Sequence, residues 1–513
     1  MEAAPEHHAN RFVHRRPRPD VLLASRRVID IQVTERRPAL RPAGASRRVG
    51  VASVLRGHWP LVLLLAAGLA LRILTLIAIY PGIWFTDSNG FIRTAATGTL
   101  STIRVSGYAL FVAPFLHAGS AGGLIIAQHL IGLVVVVLLY ALLRRRGVSR
   151  LLAALAVAPA ALDSYLIQVE HTIMSETIFH AALVSAFAAL LWNDRPRLAA
   201  AAASGVLLGY AGVVRSVALP LIAVFLLYLL MRPLGWRQLL ALAVGWALVT
   251  GGYAAIYDLQ HGHFGFTDSG GRFLYGEVAP FIDCSRLPDL PRNERVLCPP
   301  GGIPQTPTTA MWSAKSPILN LPPGSDALVR DFAQRVLRDQ PLRYARTAVR
   351  DFLHYFEPGH RMRPNDPAVG PWQFPADPNH WGIRRYHGPI RPADADPHGP
   401  KPPINPMVGK PHTNVTASRF LHDYQRWVFL TGPALAACLI IVLAAFVLRR
   451  GAWRLRLDAA FIAAAVVASL IVVVAVSMFS YRYGLTAVLL LPVAAALAGS
   501  ALPQPENRNA ADT

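Results

Sequence analysis

Charged residues are scarce in this chain, and their scarcity limits the class of protein. Asp, Glu, Lys and Arg make up only 15% of the 513 residues, whereas 53% are hydrophobic. A typical soluble domain has about 25% charged residues. Apolar runs of about 20 residues, long enough to cross a bilayer as a helix, recur through the sequence. The composition therefore excludes an ordinary soluble enzyme and predicts an all-α polytopic membrane protein.

Cysteine is also rare, with three residues in the chain. Cys284 and Cys298 lie in a hydrophilic segment that we expect on the outer side, where oxidising conditions favour a disulfide over two free thiols. Cys438 lies inside an apolar run, where it is expected to pack. Two cysteines with no nearby histidine make a poor zinc site, so the sequence predicts a disulfide and assigns no residue to a metal.

The N-terminal segment lacks the apolar core and cleavage site of a signal peptide. Twelve arginines fall before Trp59, and we interpret residues 1–58 as a basic, disordered cytoplasmic arm that can touch anionic membrane lipids. The formal net charge of +21 does not indicate a nucleic-acid partner, because the long hydrophilic segment 258–425 nearly balances 19 basic with 16 acidic residues.

About ten transmembrane helices are predicted from the apolar runs. They are placed at residues 59–80, 121–142, 150–163, 176–193, 198–213, 217–231, 238–257, 426–448, 457–479 and 484–501. Arginines cluster at alternate ends of these spans, which places both termini in the cytoplasm of a multi-pass cell-membrane protein. The predicted domains are the arm 1–58, a transmembrane catalytic core 59–257, an extracytoplasmic loop domain 258–425, transmembrane helices 426–501 and a cytoplasmic tail 502–513.

The extracytoplasmic loop domain is predicted to mix helical and irregular structure. In SDALVRDFAQRVLRDQP, Ser325 can cap a helix on which Val329, Phe332 and Val336 share a face. The stretch YARTAVRDFLHYF continues this pattern with Val349, Phe352 and Phe356. The second half of the domain is too rich in proline for regular structure.

Four acidic residues lie on the predicted outer side of the bundle, namely Asp87, Asp163, Glu170 and Glu176. Charges near bilayer depth usually face a cavity or a partner, so these residues indicate an acidic outer mouth. Structural interpretations stay open for three of them. Asp87 or Ser88 can cap a helix, Glu176 can open one, and Asp163 can end a span.

Two arginines lie at the same outer level, and a third lies within the first span. Arg215 and Arg482 occupy tight turns between apolar runs, where each can reach lipid phosphates or grip the phosphate of a substrate with paired hydrogen bonds. Arg72 lies inside the first span and needs an internal partner that the sequence does not identify.

Four stretches carry a resemblance to a known family. They are GLALRILTL followed by FTDSNGF, SGYALFVAPFLHAG leading into LIIAQHLIGLVVVVLLY, LDSYLIQVEHTIMSETIFHAAL, and the late SYRYGLTAVLLLP. In their order and common outer side they resemble integral-membrane glycosyltransferases of the GT-C superfamily, including protein mannosyltransferases and lipid A aminoarabinose transferases. The stretch GGRFLYGEVAPFIDC is similar to loops of actinobacterial members.

The resemblance implies a GT-C-like bundle and a function. The donor is a sugar linked to polyprenyl phosphate, and the acceptor is a glycan, lipid or protein at the outer face of the membrane. Asp87 holds the position of the general base, Glu176 that of an acid in the sugar site, and Arg482 and Arg215 are placed to bind the donor phosphate. The same stretches make three further residues candidates for sugar or acceptor contacts: Glu170, His171 and Tyr108.

The first loop departs from the family pattern, because Asp87 is followed by Ser88 where many relatives have a second acid. The resemblance therefore supplies no certain cofactor and leaves the use of a divalent ion open. A transporter or flippase of lipid-linked glycans is the main alternative, and it needs a polar path through the bundle. A membrane scaffold that displays its outer loop is a third alternative, in which Asp87 has no role.

Overall fold

The computed structural model describes most of the chain between residues 56 and 501. The ranges outside the description are 1–55, 233–234, 300, 302–304, 315, 323, 360–362, 364–368, 380–411, 449–451 and 502–513. The described residues therefore leave out nearly all of the predicted arm, the predicted tail and most of the proline-rich half of 258–425. We call residues 258–425 the outer segment, after the side of the membrane predicted for them.

Helices dominate the fold. About 75% of the described chain is helical, and it contains 18 α-helices. In chain order they are α1 Trp59–Ala78, α2 Thr86–Thr97, α3 Gly107–His117, α4 Ala121–Arg145, α5 Arg150–Leu162, α6 Ser164–Glu170, α7 Glu176–Leu191, α8 Leu198–Val214, α9 Leu221–Leu230, α10 Trp236–His261, α11 Gly270–Val278, α12 Pro307–Trp312, α13 Asp326–Asp339, α14 Pro341–His354, α15 Val415–Trp427, α16 Gly432–Val447, α17 Trp453–Val476 and α18 Leu485–Ala501. Strands β1 Ile79–Tyr80 and β2 His412–Thr413 pair antiparallel and tie the end of the outer segment to the end of α1.

Five helical segments are long and apolar enough to cross a membrane: α1, α4, α10, α17 and 481–501, which includes α18. Two bent pairs, α5 with α6 and α15 with α16, raise the number to seven if each pair is one span. Helices α3, α7, α8 and 216–230 are apolar but shorter. The predicted all-α fold is thus confirmed, and five to seven apolar helices are consistent with a polytopic membrane protein. The count of about ten spans stays a prediction.

The bent pairs show where the predicted spans differ from the helices. The span predicted at 426–448 is broken, since α15 ends at Trp427 and α16 begins at Gly432. A proline in the first turn of α16 explains the restart, because proline lacks the amide hydrogen that a continuing helix needs. Asp163 lies at the other break, where its carboxylate accepts hydrogen bonds from the backbone amides of Tyr165 and Leu166 and caps α6.

The bundle packs around its last helix. Helix α18 contacts α5, α16 and α17, and most of its side chains are buried. Helices α8 and α10 pack backbone to backbone, because a Cβ atom on Gly205 would overlap the carbonyl oxygen of Leu242. Such close approach of small residues is typical of helices packed inside a membrane.

The outer segment has a core of its own. Helices α11, α12 and α13 bury an apolar cluster that includes Tyr275, Phe332 and Val336. Cys284 and Cys298 pack beside this cluster and are joined by a disulfide. The apolar face predicted for α13 is confirmed.

The predicted serine cap of α13 is wrong. Ser325 precedes the helix, but its hydroxyl donates to the carbonyl oxygen of Pro322 and makes no capping bond. Asp326 in the first turn has a different role, since its carboxylate accepts hydrogen bonds from the amides of Gly271 and Arg272. That carboxylate therefore joins α13 to α11.

Candidate functional site

Five charged side chains converge at one end of the bundle. Asp87 and Glu176 lie in the first turns of α2 and α7, where the helix dipole favours negative charge. Arg215 follows the last residue of α8, the end that favours positive charge. Arg482 lies in the short turn before α18, and Arg104 lies in the segment between α2 and α3. We call these five residues the charged cluster.

Asp87 does not cap its helix. Neither Asp87 nor Ser88 is the N-cap that the sequence allowed, because the helix begins at Thr86 and Phe85 occupies the N-cap position. Ser88, in the first turn, supports the helix start: its hydroxyl oxygen accepts the amide hydrogen of Phe85 at 3.0 Å, and its hydroxyl donates to the carbonyl oxygen of Ile173 at 2.7 Å. The carboxylate of Asp87 stays available to the charged cluster.

Two guanidinium groups hold the Asp87 carboxylate. Oδ1 lies 2.5 Å from Nη1 of Arg104, and Oδ2 lies 3.2 Å from Nη1 of Arg482. Burial alone raises the pKa of Asp87, but the positive charges of Arg104 and Arg482 outweigh it and lower that pKa to about 2. Asp87 is therefore ionised at neutral pH, with one arginine on each oxygen.

Glu176 is the second carboxylate of the cluster and is almost fully buried. It forms an ion pair with Arg215, and its Oε1 lies 3.8 Å from Nη1 of Arg482. His180, four residues later, hydrogen-bonds the hydroxyl of Thr486 at 3.2 Å. Arg482 thus bridges the two carboxylates that the sequence placed in separate loops.

Aromatic rings fix the guanidinium group of Arg482. Its central carbon lies 4.9 Å from the ring centres of Trp372 and Tyr483 and 5.8 Å from that of Phe85, and Nη2 donates to the Tyr483 hydroxyl at 3.1 Å. Arg215 lies 5.1 Å from the Tyr483 ring centre. Such cation–π contacts restrain a guanidinium group without neutralising its charge. The proline-rich segment that contributes Trp372 gave no sequence signal for this role.

Arg482 lines two pockets. One, of about 580 Å³ counting the open solvent at its mouth, is mainly apolar and reaches the first turns of α16 and α18; its lining includes Val169, Phe429, Leu435, Leu485 and Val488. The other, of about 280 Å³ on the same measure, carries charged and hydroxyl groups beside apolar side chains such as Phe179 and Val473; these groups belong to Glu176, His180, Arg215, Ser469 and Thr486. We call them the apolar pocket and the polar pocket.

Arg104 was not identified from the sequence. Its segment, 98–106, is held by residues at the end of α10 and just after it. Gln260 accepts the amide hydrogen of Leu100 at 2.7 Å. The Thr102 carbonyl oxygen accepts from the Asp268 amide at 2.7 Å and from the Ser269 hydroxyl at 2.8 Å. The position of Arg104 is therefore set by the part of the chain that begins the outer segment.

The three residues considered for sugar or acceptor contacts have partners inside the bundle. Glu170 forms two hydrogen bonds of 2.8 Å with Arg72, which identifies the internal partner that Arg72 needs. His171 contacts the carbonyl oxygen of Ile79 at 2.7 Å, and Tyr108 donates to the side-chain oxygen of Gln128 at 2.6 Å. All three side chains are buried. The structure therefore places all three inside the bundle with protein partners, and their contacts with a sugar or an acceptor stay a prediction.

The cluster does not suit a divalent cation. Both carboxylates are already held by guanidinium groups, whose positive charge disfavours a metal ion beside them. Within the described part of the chain, no group of three or more His, Cys, Asp or Glu residues is placed to bind a metal. We derive no chemical step from a metal ion at this site.

Comparison of the chain with protein-family models, with curated proteins and with solved structures gave no match.

Proposed function

We propose that this protein is a glycosyltransferase of the GT-C type that transfers a sugar from a polyprenyl-phosphate donor to an acceptor hydroxyl at the outer face of the cell membrane. One observation carries the proposal: Arg482 lies between an apolar and a polar pocket, with two carboxylates beside it. A lipid-linked sugar has the same order of parts, with a phosphate between an isoprenoid chain and a sugar.

The donor fits this arrangement by chemistry. Its phosphate pairs with the guanidinium group of Arg482, which is suited to paired hydrogen bonds with an oxyanion. Its first isoprene units occupy the apolar pocket, and its sugar hydroxyls meet the carboxylate and hydroxyl groups of the polar pocket. The three arginines and two carboxylates of the charged cluster leave one positive charge. The single negative charge of a phosphodiester balances it.

Asp87 is the general base of the proposed reaction. When the donor phosphate binds, Arg482 turns its positive charge toward that phosphate and holds Asp87 less tightly. Arg104, with the more exposed side chain of the two, releases Oδ1. The acceptor oxygen attacks the anomeric carbon from the face opposite the phosphate and its proton moves to Asp87. The bond from the anomeric carbon to the phosphate oxygen breaks, and its electron pair stays on the phosphate beside Arg482. The sugar is transferred with inversion.

The membrane topology is part of the proposal. If each bent pair is one span, and α7, α8 and residues 216–230 cross the membrane while the shorter α3 does not, the number of spans is ten. Both termini are then cytoplasmic, in agreement with the arginine clusters at alternate helix ends. The charged cluster lies at the outer membrane surface in this arrangement, which is where a flipped lipid donor presents its sugar.

Asp87→Asn tests the proposed reaction. Asparagine keeps the shape of the side chain but cannot accept the proton, so we expect sugar transfer to fall by about 100-fold or more while donor binding persists. The measurement is transfer from a polyprenyl-phosphate sugar in membranes that contain matched amounts of each protein. Asp331→Asn, at an exposed position on α13, is the matched control and should keep normal activity.

Two outcomes would contradict the proposal. Normal transfer by Asp87→Asn would show that Asp87 is not the base. If the wild-type protein in liposomes moves the lipid-linked sugar between leaflets and forms no glycosylated product, it is a transporter or flippase.

A further inference from the structure

Helix α14 has an exposed apolar face and a buried polar face, which is the reverse of the usual pattern in a helix of a water-soluble domain. Its exposed side chains include Leu342, Val349 and Leu353, which are 80%, 58% and 54% exposed. Its buried side chains include Asp351 and His354. Spacings of seven and four residues place the three exposed apolar side chains on one face of the helix. The polar face packs on the protein together with the half-buried Phe352, and among the described residues the apolar face stays mostly exposed.

The neighbouring helix α13 shows the ordinary arrangement. It has the same length of 14 residues, yet it buries Val329, Phe332 and Val336 and exposes charged residues such as Asp331. The two helices follow each other in the chain and belong to the same outer segment. Solvent therefore surrounds the outward face of α13, whereas the outward face of α14 needs an apolar environment.

Both ends of α14 are tied to the point where the span α17 ends. The hydroxyl of Tyr344 donates to the carbonyl oxygen of Ala475, in the last turn of α17, at 3.0 Å. At the other end, the ring of His354 stacks on Phe479 at 4.2 Å between ring centres. A membrane span ends at the membrane surface, so a helix fastened across that end lies at the level of the lipid head groups.

Charge on α14 agrees with this position. Arg346 and Arg350 border one side of the apolar face and are exposed. Asp351 lies on the opposite, buried face and pairs with Arg350 at 3.0 Å. Long arginine side chains beside an apolar face can reach lipid phosphates while their stems stay in the apolar layer.

We propose that α14 is an interfacial helix that inserts its Leu342–Val349–Leu353 face into the outer leaflet and contacts phospholipid phosphates through Arg346 and Arg350. The apolar pocket begins directly after it, since Tyr355, Glu357 and Gly359 line that pocket. The helix thus fixes the depth of the bilayer beside the pocket. This position is independent of the proposed transfer reaction, because it rests on α14 and α17 alone.

Nitroxide labels on single cysteines test the position of the helix. The full chain, with Cys438→Ala and the disulfide intact, carries a cysteine at residue 342, 349 or 353 in vesicles of phosphatidylcholine and phosphatidylglycerol. Relaxation by oxygen, which concentrates in the bilayer, is compared with relaxation by a water-soluble nickel chelate. We expect oxygen to dominate at all three positions and the chelate to dominate at Asp331→Cys.

Two results would overturn the inference. Chelate accessibility at all three positions equal to that at Asp331→Cys would place the face in water. Labels shielded from both reagents and broadened by spin–spin coupling would show that a second copy of the chain covers the face. Size-exclusion profiles of the labelled proteins identify any variant that fails to fold, and the remaining positions then decide the question.

Discussion

Glu170→Gln removes the counter-charge of Arg72 in the interior of the bundle. Arg72 is 1% exposed and donates two hydrogen bonds of 2.8 Å to the carboxylate of Glu170. Its remaining Nη1 bonds go to the carbonyl oxygens of Gly68 and Ala161. Glutamine preserves the size of the side chain but leaves the guanidinium charge uncompensated. Breaking a buried pair in this way costs about 3–5 kcal/mol of folding free energy.

Two controls separate this loss from a general effect of substitution. Arg330→Ala breaks an ion pair with Asp326 whose arginine side chain is 48% exposed, and such a pair contributes at most about 0.5 kcal/mol. Replacing both members of the buried pair, Arg72→Leu with Glu170→Leu, removes the charge and its partner together. The double variant should recover most of the stability that the single variant loses.

The assay is thermal unfolding of purified protein in detergent. At roughly 2–4 °C per kcal/mol, Glu170→Gln should lower the midpoint by about 6–20 °C, whereas Arg330→Ala should leave it within about 2 °C of the wild-type value. An equal, small shift for both variants would refute the reasoning, because it would mean that water reaches the Arg72–Glu170 pair.

Three further predictions concern the charged cluster and the packing beside Glu170. Arg482→Lys keeps the charge but loses the paired hydrogen-bond geometry, so kcat/KM for the donor should fall by about 10–100-fold, as expected for one charged hydrogen bond of about 1.5–3 kcal/mol. Arg104→Gln removes a positive charge beside Asp87 and should raise its pKa above the present value of about 2; because the base must be ionised, the acid limb of the kcat/KM profile should move to higher pH. Gly132→Ala places a methyl group where the Glu170 carboxylate lies and should destabilise the fold by about 1–3 kcal/mol in the same unfolding assay.

Each of these predictions has an outcome that contradicts it. If Arg482→Lys shows wild-type kinetics with the donor, Arg482 does not bind the donor phosphate and serves only to fix the membrane topology. An unchanged acid limb in Arg104→Gln would mean that Arg104 does not control Asp87. Gly251→Ala, where a Cβ atom meets nothing within 4 Å, is the control for the glycine substitution; equal stability of the two alanine variants would show that Gly132 has no packing role.

The helices were predictable where an uninterrupted apolar run is longer than 18 residues. The predicted 59–80 and 121–142 correspond to α1 and α4, because hydrophobic length and helical geometry together determine such spans. The break before Gly432 was not predicted, since apolar residues lie on both sides of it and hydropathy does not register a bend. The outward face of α14 was also missed, because periodicity identifies an apolar face without showing whether protein or lipid covers it.

The acidic residues of the site were predictable, and their partners were not. Asp87 and Glu176 are conspicuous because few acids occur outside residues 1–58, the segment 258–425 and the C-terminal tail. The ion pair of Asp87 with Arg482 joins residues 395 positions apart, and no local pattern encodes a contact at that separation. Arg104 is much nearer to Asp87 in the chain, but its segment between α2 and α3 is irregular, so no periodicity predicts the position of its side chain. Glu170 was grouped with the site because it lies in an outer loop, but its carboxylate turns inward to Arg72.

The hydrogen bonds that hold residues 98–106 couple the pairing of Asp87 with Arg104 to the position of the outer segment. The carbonyl oxygen of Thr102 accepts hydrogen bonds from Asp268 and Ser269. Arg104, two residues later, forms an ion pair with Asp87. A ligand that shifts residues 268–269 changes the free energy of the Arg104–Asp87 pair. Thermodynamic reciprocity then requires that opening this pair changes the affinity for that ligand by the same factor. Binding of such a ligand and release of Asp87 by Arg104 are thereby two sides of one equilibrium.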